Sequence, residues 1–139
     1  MSTLYLADTS AYTIARRSPQ AEHRLRQLAA DNTLATFVTV DLELGDSART
    51  PHEHQGIGHI RAQLVQLPCH DQIALRAREV QALMAKRSQH RAAGVIDLLT
   101  AAAAEHHGAT ILHHDADFDH IAAITHQPTE WITPPGSTS

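Results

Sequence analysis

Apolar residues along this chain recur with two different periods, and the changes of period mark out strands and helices. Leu4 to Ala7 is a short apolar run closed by Asp8-Thr9-Ser10, a strand followed by a polar helix-start signal. Ser18-Pro19 provides a cap and a first-turn proline, after which Ala21, Leu25, Leu28 and Ala29 recur at helical spacing until Asp31-Asn32. Leu34 to Val38 is apolar and β-branched and reads as a second strand, with Thr39 placed to cap a helix from Val40 to Arg49. A weaker helical pattern starts at Pro51 and runs through Ile57, Ile60, Leu64 and Leu67, with Gly56 and Gly58 counting against its first turns. Between Asp71 and Gln89, the positions Ala74, Leu75, Ala77, Val80, Leu83 and Met84 form one stripe at a period near 3.6. Gly94 separates this segment from Val95 to His107, whose alanines favour helix and which Gly108 should end. Ala109 to His113 is a third strand, Asp117 to Thr125 a short helix, and Trp131-Ile132 a last edge strand before a frayed tail over residues 134–139.

Strands that alternate with helices predict an α/β fold, a parallel sheet of four to five strands flanked by helices. At 139 residues the chain is the length of one domain, expected to span residues 1–133. In such sheets ligands bind beyond the carboxyl ends of the strands, where the strand order reverses. That rule selects Asp8, directly after the first strand, and Asp115, closely after the third.

Composition narrows the class. Hydrophobic residues make up 42% and charged residues 19%, the balance of a globular domain. The apolar stretch Val95 to Ala104 is interrupted by Asp97 and falls short of the roughly 20 residues a bilayer span needs, so no membrane helix is expected. The first residues lack a basic segment followed by an apolar one, which points to a cytoplasmic address. Cys69 is the only cysteine, which excludes an internal disulfide, and reads as a small buried residue. A net charge of −4 argues mildly against a polynucleotide partner, yet the cations are grouped as Arg16-Arg17, Arg24 and Arg26, Arg76 and Arg78, and Lys86-Arg87 with Arg91. Each group taken alone reads as a solvated helix face; together they leave room for a basic rim around an acidic pocket.

Four acids stand where apolar elements begin or end: Asp8, Glu43, Asp97 and Asp115. Asp97 lies between Val95-Ile96 and Leu98-Leu99, so it should be at least partly buried, and a buried carboxylate needs a partner or a cation. Clustered hard oxygen ligands suit magnesium or manganese, ions that serve phosphoryl chemistry. Singly, each acid has a plainer explanation as a helix cap, a surface acid or a turn residue.

Four segments taken in order resemble the acidic motifs of the VapC-type PIN-domain toxins: Leu6-Ala7-Asp8-Thr9-Ser10-Ala11, Val40-Asp41-Leu42-Glu43 with Ser47-Ala48-Arg49, Ile96-Asp97-Leu98-Leu99 with Ala101 to Ala104, and His114-Asp115-Ala116-Asp117-Phe118-Asp119. The tail, Gln127-Pro128 to Trp131 and Pro135-Gly136, is similar to one subgroup of that family, so the resemblance covers nearly the whole chain. One departure is that the glycine usual directly before the Ala-Arg pair is displaced, giving Gly45-Asp46-Ser47-Ala48-Arg49. The resemblance implies a three-layer PIN-like fold and a magnesium- or manganese-dependent endoribonuclease serving as the toxin of a toxin–antitoxin pair. It makes Asp8, Glu43, Asp97 and Asp115 the acidic quartet, with Asp8 and Asp97 as direct ligands and Thr9 or Ser10 as a hydroxyl contact near the ion. Asp115 is preferred in the last motif because it follows the strand, with Asp117 second. Further implications are an RNA substrate, a homodimer, and a cognate antitoxin that inserts a basic residue into the pocket.

Two competing readings stand beside this one, the first prompted by twelve histidines, among them His52-Glu53-His54, His106-His107 and His113-His114, and the second by acids that would only cap helices. One is a histidine-rich zinc hydrolase, which no HExxH helix supports. The other is a catalytically idle module that only binds a partner protein. Scattered surface histidines are the plainer reading, with His113 or His114 placed to contact a phosphate when protonated.

Overall fold

The computed structural model describes residues 2–136. Its elements are β1 (Leu4–Ala7), α1 (Thr9–Ala15), α2 (Pro19–Ala30), β2 (Leu34–Thr36), α3 (Val38–Asp46), α4 (Pro51–Arg61), β3 (Val65–Gln66), α5 (Asp71–Lys86), α6 (Val95–His107), β4 (Ala109–His113), α7 (Asp117–Thr125) and β5 (Thr129–Trp131). The five strands form one sheet in the order β3-β2-β1-β4-β5, and every neighbouring pair is parallel. The expected α/β architecture is therefore present.

Alternation along the strands divides the core into two layers. Leu6, Ala35 and Ile111 face a cluster with Phe37 and Val40 of the β2–α3 region, Ile73, Val80 and Met84 of α5, Ala101 to Ala104 of α6, and Phe118 and Ile121 of α7. Their chain neighbours Ala7, Leu34 and Leu112 face the opposite layer, made by Ala11 and Ile14 of α1 and by Ala21, Leu25 and Leu28 of α2. Alanines let α6 lie close to the sheet, and four consecutive ones, Ala101 to Ala104, are buried.

The chain leaves central β1 through α1 and α2 to β2, continues outward to β3, and then returns across the sheet to β4 on the other side of β1. The order thus reverses between β1 and β4. Ala7 pairs with Leu112 at the carboxyl edge, and the Asp8 N–H donates to the Leu112 carbonyl at 2.9 Å. Asp8 and Asp115 consequently emerge at the reversal, where the carboxyl-end rule places them.

Several local expectations need correction. α3 starts at Val38 because Phe37 takes the extended N-cap conformation without a side-chain cap, while Thr39 lies inside the helix, its hydroxyl 2.7 Å from that of Thr100 on α6. The helix from Pro51 stops at Arg61, and Val65–Gln66 forms a strand paired to Ala35 and Thr36. Two residues are too few to show an alternation, and their pairing is a backbone property that the side chains do not announce. α5 stops at Lys86 because Ser88, at φ 57°, turns left-handed and the Gln89 N–H returns to the Met84 carbonyl. The last strand is Thr129–Trp131 and does not include Ile132. Cys69 is exposed, in the turn between β3 and α5. Of the expected frayed tail, residues 137–139 lie outside the described residues.

The Ser18 cap is as expected and fully buried, its Oγ accepting the Ala21 N–H at 3.2 Å. Ser18→Ala should therefore cost about 1–2 kcal/mol, the upper part of the range for caps, because the orphaned amide has no water to turn to. Urea denaturation checks this, and a loss below about 0.3 kcal/mol would contradict it.

Candidate active site

The acidic side chains come from the end of β1, the first turn of α6 and the turn after β4, with Glu43 of α3 outside the cluster of Asp97, Asp115 and Asp117. Asp8 is the N-cap of α1: Oδ2 accepts the Ser10 N–H at 3.0 Å, while Oδ1 is buried with no hydrogen-bond partner and the residue is only 3% exposed. A buried, partnerless carboxylate oxygen is costly, so Asp8 is more than a cap. Asp97 lies in the first turn of α6, three residues after the N-cap Gly94. Asp115 and Asp117 follow β4, with Asp115 Oδ1 accepting the Asp117 N–H at 2.9 Å in a tight local turn. Asp117 Oδ2 in turn accepts the Gly94 N–H at 3.2 Å, tying the start of α7 to the start of α6.

Asp97, Asp115 and Asp117 each present an oxygen within 4.8 Å of the others. Two full charges at that separation repel by on the order of 3–4 kcal/mol at an effective dielectric of about 20, so three cannot all be ionised comfortably without a cation. The electrostatics agree. Burial, then a hydrogen bond with Asp117 and the charges of Asp8, Asp115 and Asp117, pushes the Asp97 carboxyl up to about 8. Burial also raises Asp115, against the pull of the Asp117 N–H, with the Asp117 and Asp8 charges adding to the rise.

Glu43 arrives from α3, and Thr9 Oγ1 donates to its Oε1 at 2.8 Å. It is linked to the pocket through Thr9, next to Asp8. Asp41, two residues earlier, serves another purpose: it accepts from the Thr36 hydroxyl and faces Arg61 at 3.6 Å, fastening α3 to β2 and α4. The Ser10 hydroxyl accepts the His114 N–H at 2.9 Å and so fixes the end of β4 against α1. Thr9 and Ser10 thus both orient neighbouring groups in this structure.

His113 cannot reach a phosphate. Its ring is 0% exposed, wedged between Phe118 and Trp131 at centroid distances of 5.1 and 5.0 Å, and burial lowers its pKa. Nδ1 accepts the Asp115 N–H at 3.1 Å, so the neutral ring supports the turn that presents Asp115. His114 is partly exposed and its Nδ1 lies 3.2 Å from the Thr133 hydroxyl. The pattern of residues also left Gly94 as a mere separator. A Cβ built there would lie 3.2 Å from Asp97 Oδ2, so the absence of a side chain gives that carboxylate its room. An N-cap glycine with an acid three positions on was the available signal.

All of these oxygens are hard donors at the point where the sheet order reverses, a set suited to a hard divalent cation. The orphaned Asp8 oxygen and the raised Asp97 are what such an ion would relieve.

The comparisons with known proteins agree with this architecture. The PIN domain family model matches residues 5–124. Over 138 residues the chain is 41% identical to Ribonuclease VapC21 of Mycobacterium tuberculosis, covering 99% of each, and over 143 residues it is 41% identical to Ribonuclease VapC51 of the same species, covering 99% and 98%. Among solved structures, VapBC-1 from nontypeable Haemophilus influenzae matches 95% of this chain and 100% of that one, with a TM-score of 0.76 at 20% identity. The chain belongs to the PIN-domain family, in its VapC branch.

Proposed function

We propose that this chain is a magnesium- or manganese-dependent endoribonuclease and the toxin of a toxin–antitoxin pair, cutting RNA at the pocket of Asp8, Glu43, Asp97 and Asp115. The observation that carries the reading is the convergence of Asp97, Asp115 and Asp117 within 4.8 Å beside the partnerless Asp8 oxygen. Asp8 and Asp97 would be the direct ligands, Asp115 would complete the set with Asp117 beside it, and Thr9 holds Glu43 next to Asp8. When bound, the ion supplies Lewis acidity to phosphate oxygens and offsets the charge of the carboxylates. Without a cation Asp97 keeps its proton, held by burial and by the hydrogen bond and charges of its carboxylate neighbours, and a divalent ion there would favour its release.

Several features support RNA as substrate. The relatives named above are ribonucleases by name. Exposed Lys86, Arg87 and Arg91 lie at the end of α5 and in the turn that runs directly into Gly94 and Asp97, where they suit a phosphate backbone. Other arginines are already engaged: Arg24 with Glu130, Arg26 with Glu22, and Arg76 with Glu79 and Glu105. Single-stranded or looped RNA fits best, since its bases can be splayed to expose a scissile phosphate. The zinc-hydrolase reading is disfavoured because the pocket is all oxygen, and the idle-module reading because a capping role leaves Asp8 Oδ1 without a partner. Among the described residues no helix is long and apolar enough to cross a membrane, which is compatible with a cytoplasmic toxin.

An antitoxin tail has a surface to lie on. Tyr12, Leu44, Ile57, Ile60 and Leu64 line a groove of about 200 Å³ between α1, α3 and α4. Apolar anchoring there would supply affinity while an inserted Arg or Lys pairs with Asp8, Glu43 and Asp97. The toxin is taken to be a homodimer, as in the family.

Incubation of the protein with structured and single-stranded RNAs and magnesium should give internal cuts that stop on adding EDTA and return with excess magnesium. Cleavage that persists in the chelator, or none on any RNA, would sink the proposal. Truncating the antitoxin's inserted basic residue should restore cleavage while the two proteins still co-purify. Undiminished inhibition by the truncated form would place the block elsewhere.

A further inference from the structure

The antiparallel packing of α5 against α6 brings together three histidines that the sequence holds far apart. His70 is the N-cap of α5, and His106 and His107 form the last turn of α6. One nitrogen from each ring lies within 4.8 Å of the other two. The rings are in mutual contact, with centroids 5.0 Å apart for His70 and His106, 4.9 Å for His106 and His107, and 5.6 Å for His70 and His107.

One further feature prepares this cluster for a cation. His107 Nε2 lies 2.8 Å from the Pro68 carbonyl oxygen. A carbonyl only accepts, so Nε2 carries the hydrogen and Nδ1 keeps the free lone pair. A backbone carbonyl that fixes the tautomer and orientation of an imidazole is the usual outer support of a metal-bound histidine. The cluster joins the carboxyl end of α6, whose dipole favours positive charge, to the amino end of α5, whose dipole opposes it, so the three nitrogen donors and not the helix field carry the site.

We propose that His70, His106 and His107 form a binding site for one zinc ion, separate from the carboxylate pocket. Imidazole nitrogens select a borderline transition ion over magnesium. Tetrahedral zinc with Zn–N of about 2.0–2.1 Å sets its nitrogens about 3.4 Å apart, which small side-chain rotations of His70 and His106, both exposed, achieve from the present spacing. Water takes the remaining position. Cys69 precedes His70 but is outside the cluster. α6 has 13 residues and is about 20 Å long, with Asp97 in its first turn and His107 at its end. The zinc therefore takes no part in chemistry at the pocket. It ties the start of α5 to the end of α6, the pair of helices whose other ends frame the turn leading to Gly94.

The test is a zinc titration of tag-free protein against a chromogenic chelator at pH 7.5, with excess magnesium to satisfy the carboxylates. Wild type should take up one zinc per chain, and Asp97→Asn should do so equally well. His70→Gln combined with His106→Gln should weaken uptake by at least about tenfold to a hundredfold, the loss that supporting residues alone cause at metal sites. Cobalt in place of zinc should give the intense visible absorption of a four-coordinate site in wild type and not in the double variant. Zinc should also raise the melting temperature of wild type and leave that of the double variant unmoved. Both substituted residues are exposed, and circular dichroism verifies that the double variant is folded. Unchanged uptake in the double variant, loss in Asp97→Asn, or no uptake by wild type would each overturn the site.

Discussion

Asp97→Asn is expected to lower RNA cleavage by at least about a hundredfold while making the metal-free protein more stable at neutral and mildly alkaline pH. The loss of activity follows because a ligand of the proposed ion is gone, and several kcal/mol of transition-state stabilisation depend on that ion. The gain in stability follows from the raised Asp97. In the unfolded chain this carboxyl releases its proton near the ordinary 3.8, whereas in the folded pocket it holds on to about 8. A group whose folded value is raised stabilises the fold fully below the unfolded value, and that contribution is lost as pH rises toward the folded value. Stability of the wild type in EDTA should accordingly fall between about pH 4 and pH 8 and level off above, and Asp97→Asn should flatten most of that decline. Magnesium or manganese should then raise the melting temperature of wild type by mass action and that of the variant far less. Equal metal-induced shifts in both proteins, or identical pH profiles in EDTA, would remove Asp97 from the site.

Phe118→Ala is expected to cost about 3–5 kcal/mol, a large part of the roughly 5–15 kcal/mol that holds a domain of this size. Phe118 is 0% exposed, stands in the first turn of α7, and faces the His113 ring at 5.1 Å. Truncation leaves a cavity under the turn that carries Asp115, so the melting temperature should drop by roughly 10–20 °C. Cleavage should fall as well, because His113 loses one of the two rings that hold its Nδ1 toward the Asp115 N–H. Chemical denaturation gives the measurement. A loss below about 1 kcal/mol would mean that the surrounding core collapses around the gap or that the ring is not tightly packed.

The proposed zinc site and the carboxylate pocket occupy opposite ends of α6, and they differ in donor chemistry as well as in place. Carboxylate oxygens of Asp97, Asp115 and Asp117 gather with Asp8 at the carboxyl edge of the sheet, whereas imidazoles from two helices meet at the other edge. Excess magnesium is therefore able to separate the two experimentally.

The sequence by itself determined most of the elements, and with them the class of fold. Each strand run, cap and terminating glycine is a local signal: Ser18-Pro19 starts α2 and Gly108, at φ 69°, ends α6 wherever the rest of the chain goes. The acids were legible for a related reason, since Asp97 among Val95, Ile96, Leu98 and Leu99 contradicts its apolar surroundings. The tertiary structure decided what depends on neighbours distant in the chain. It placed Asp117 with Asp97 and Asp115, turned Asp41 away to Thr36 and Arg61, and drew Val65–Gln66 into the sheet by backbone pairing alone. It sank His113 beneath the pocket and gathered His70 with His106 and His107 across α5 and α6. Local propensity is written within a turn or two of each residue, whereas contacts between elements are fixed only when the strand order and the helix crossings are, and no short-range pattern encodes those.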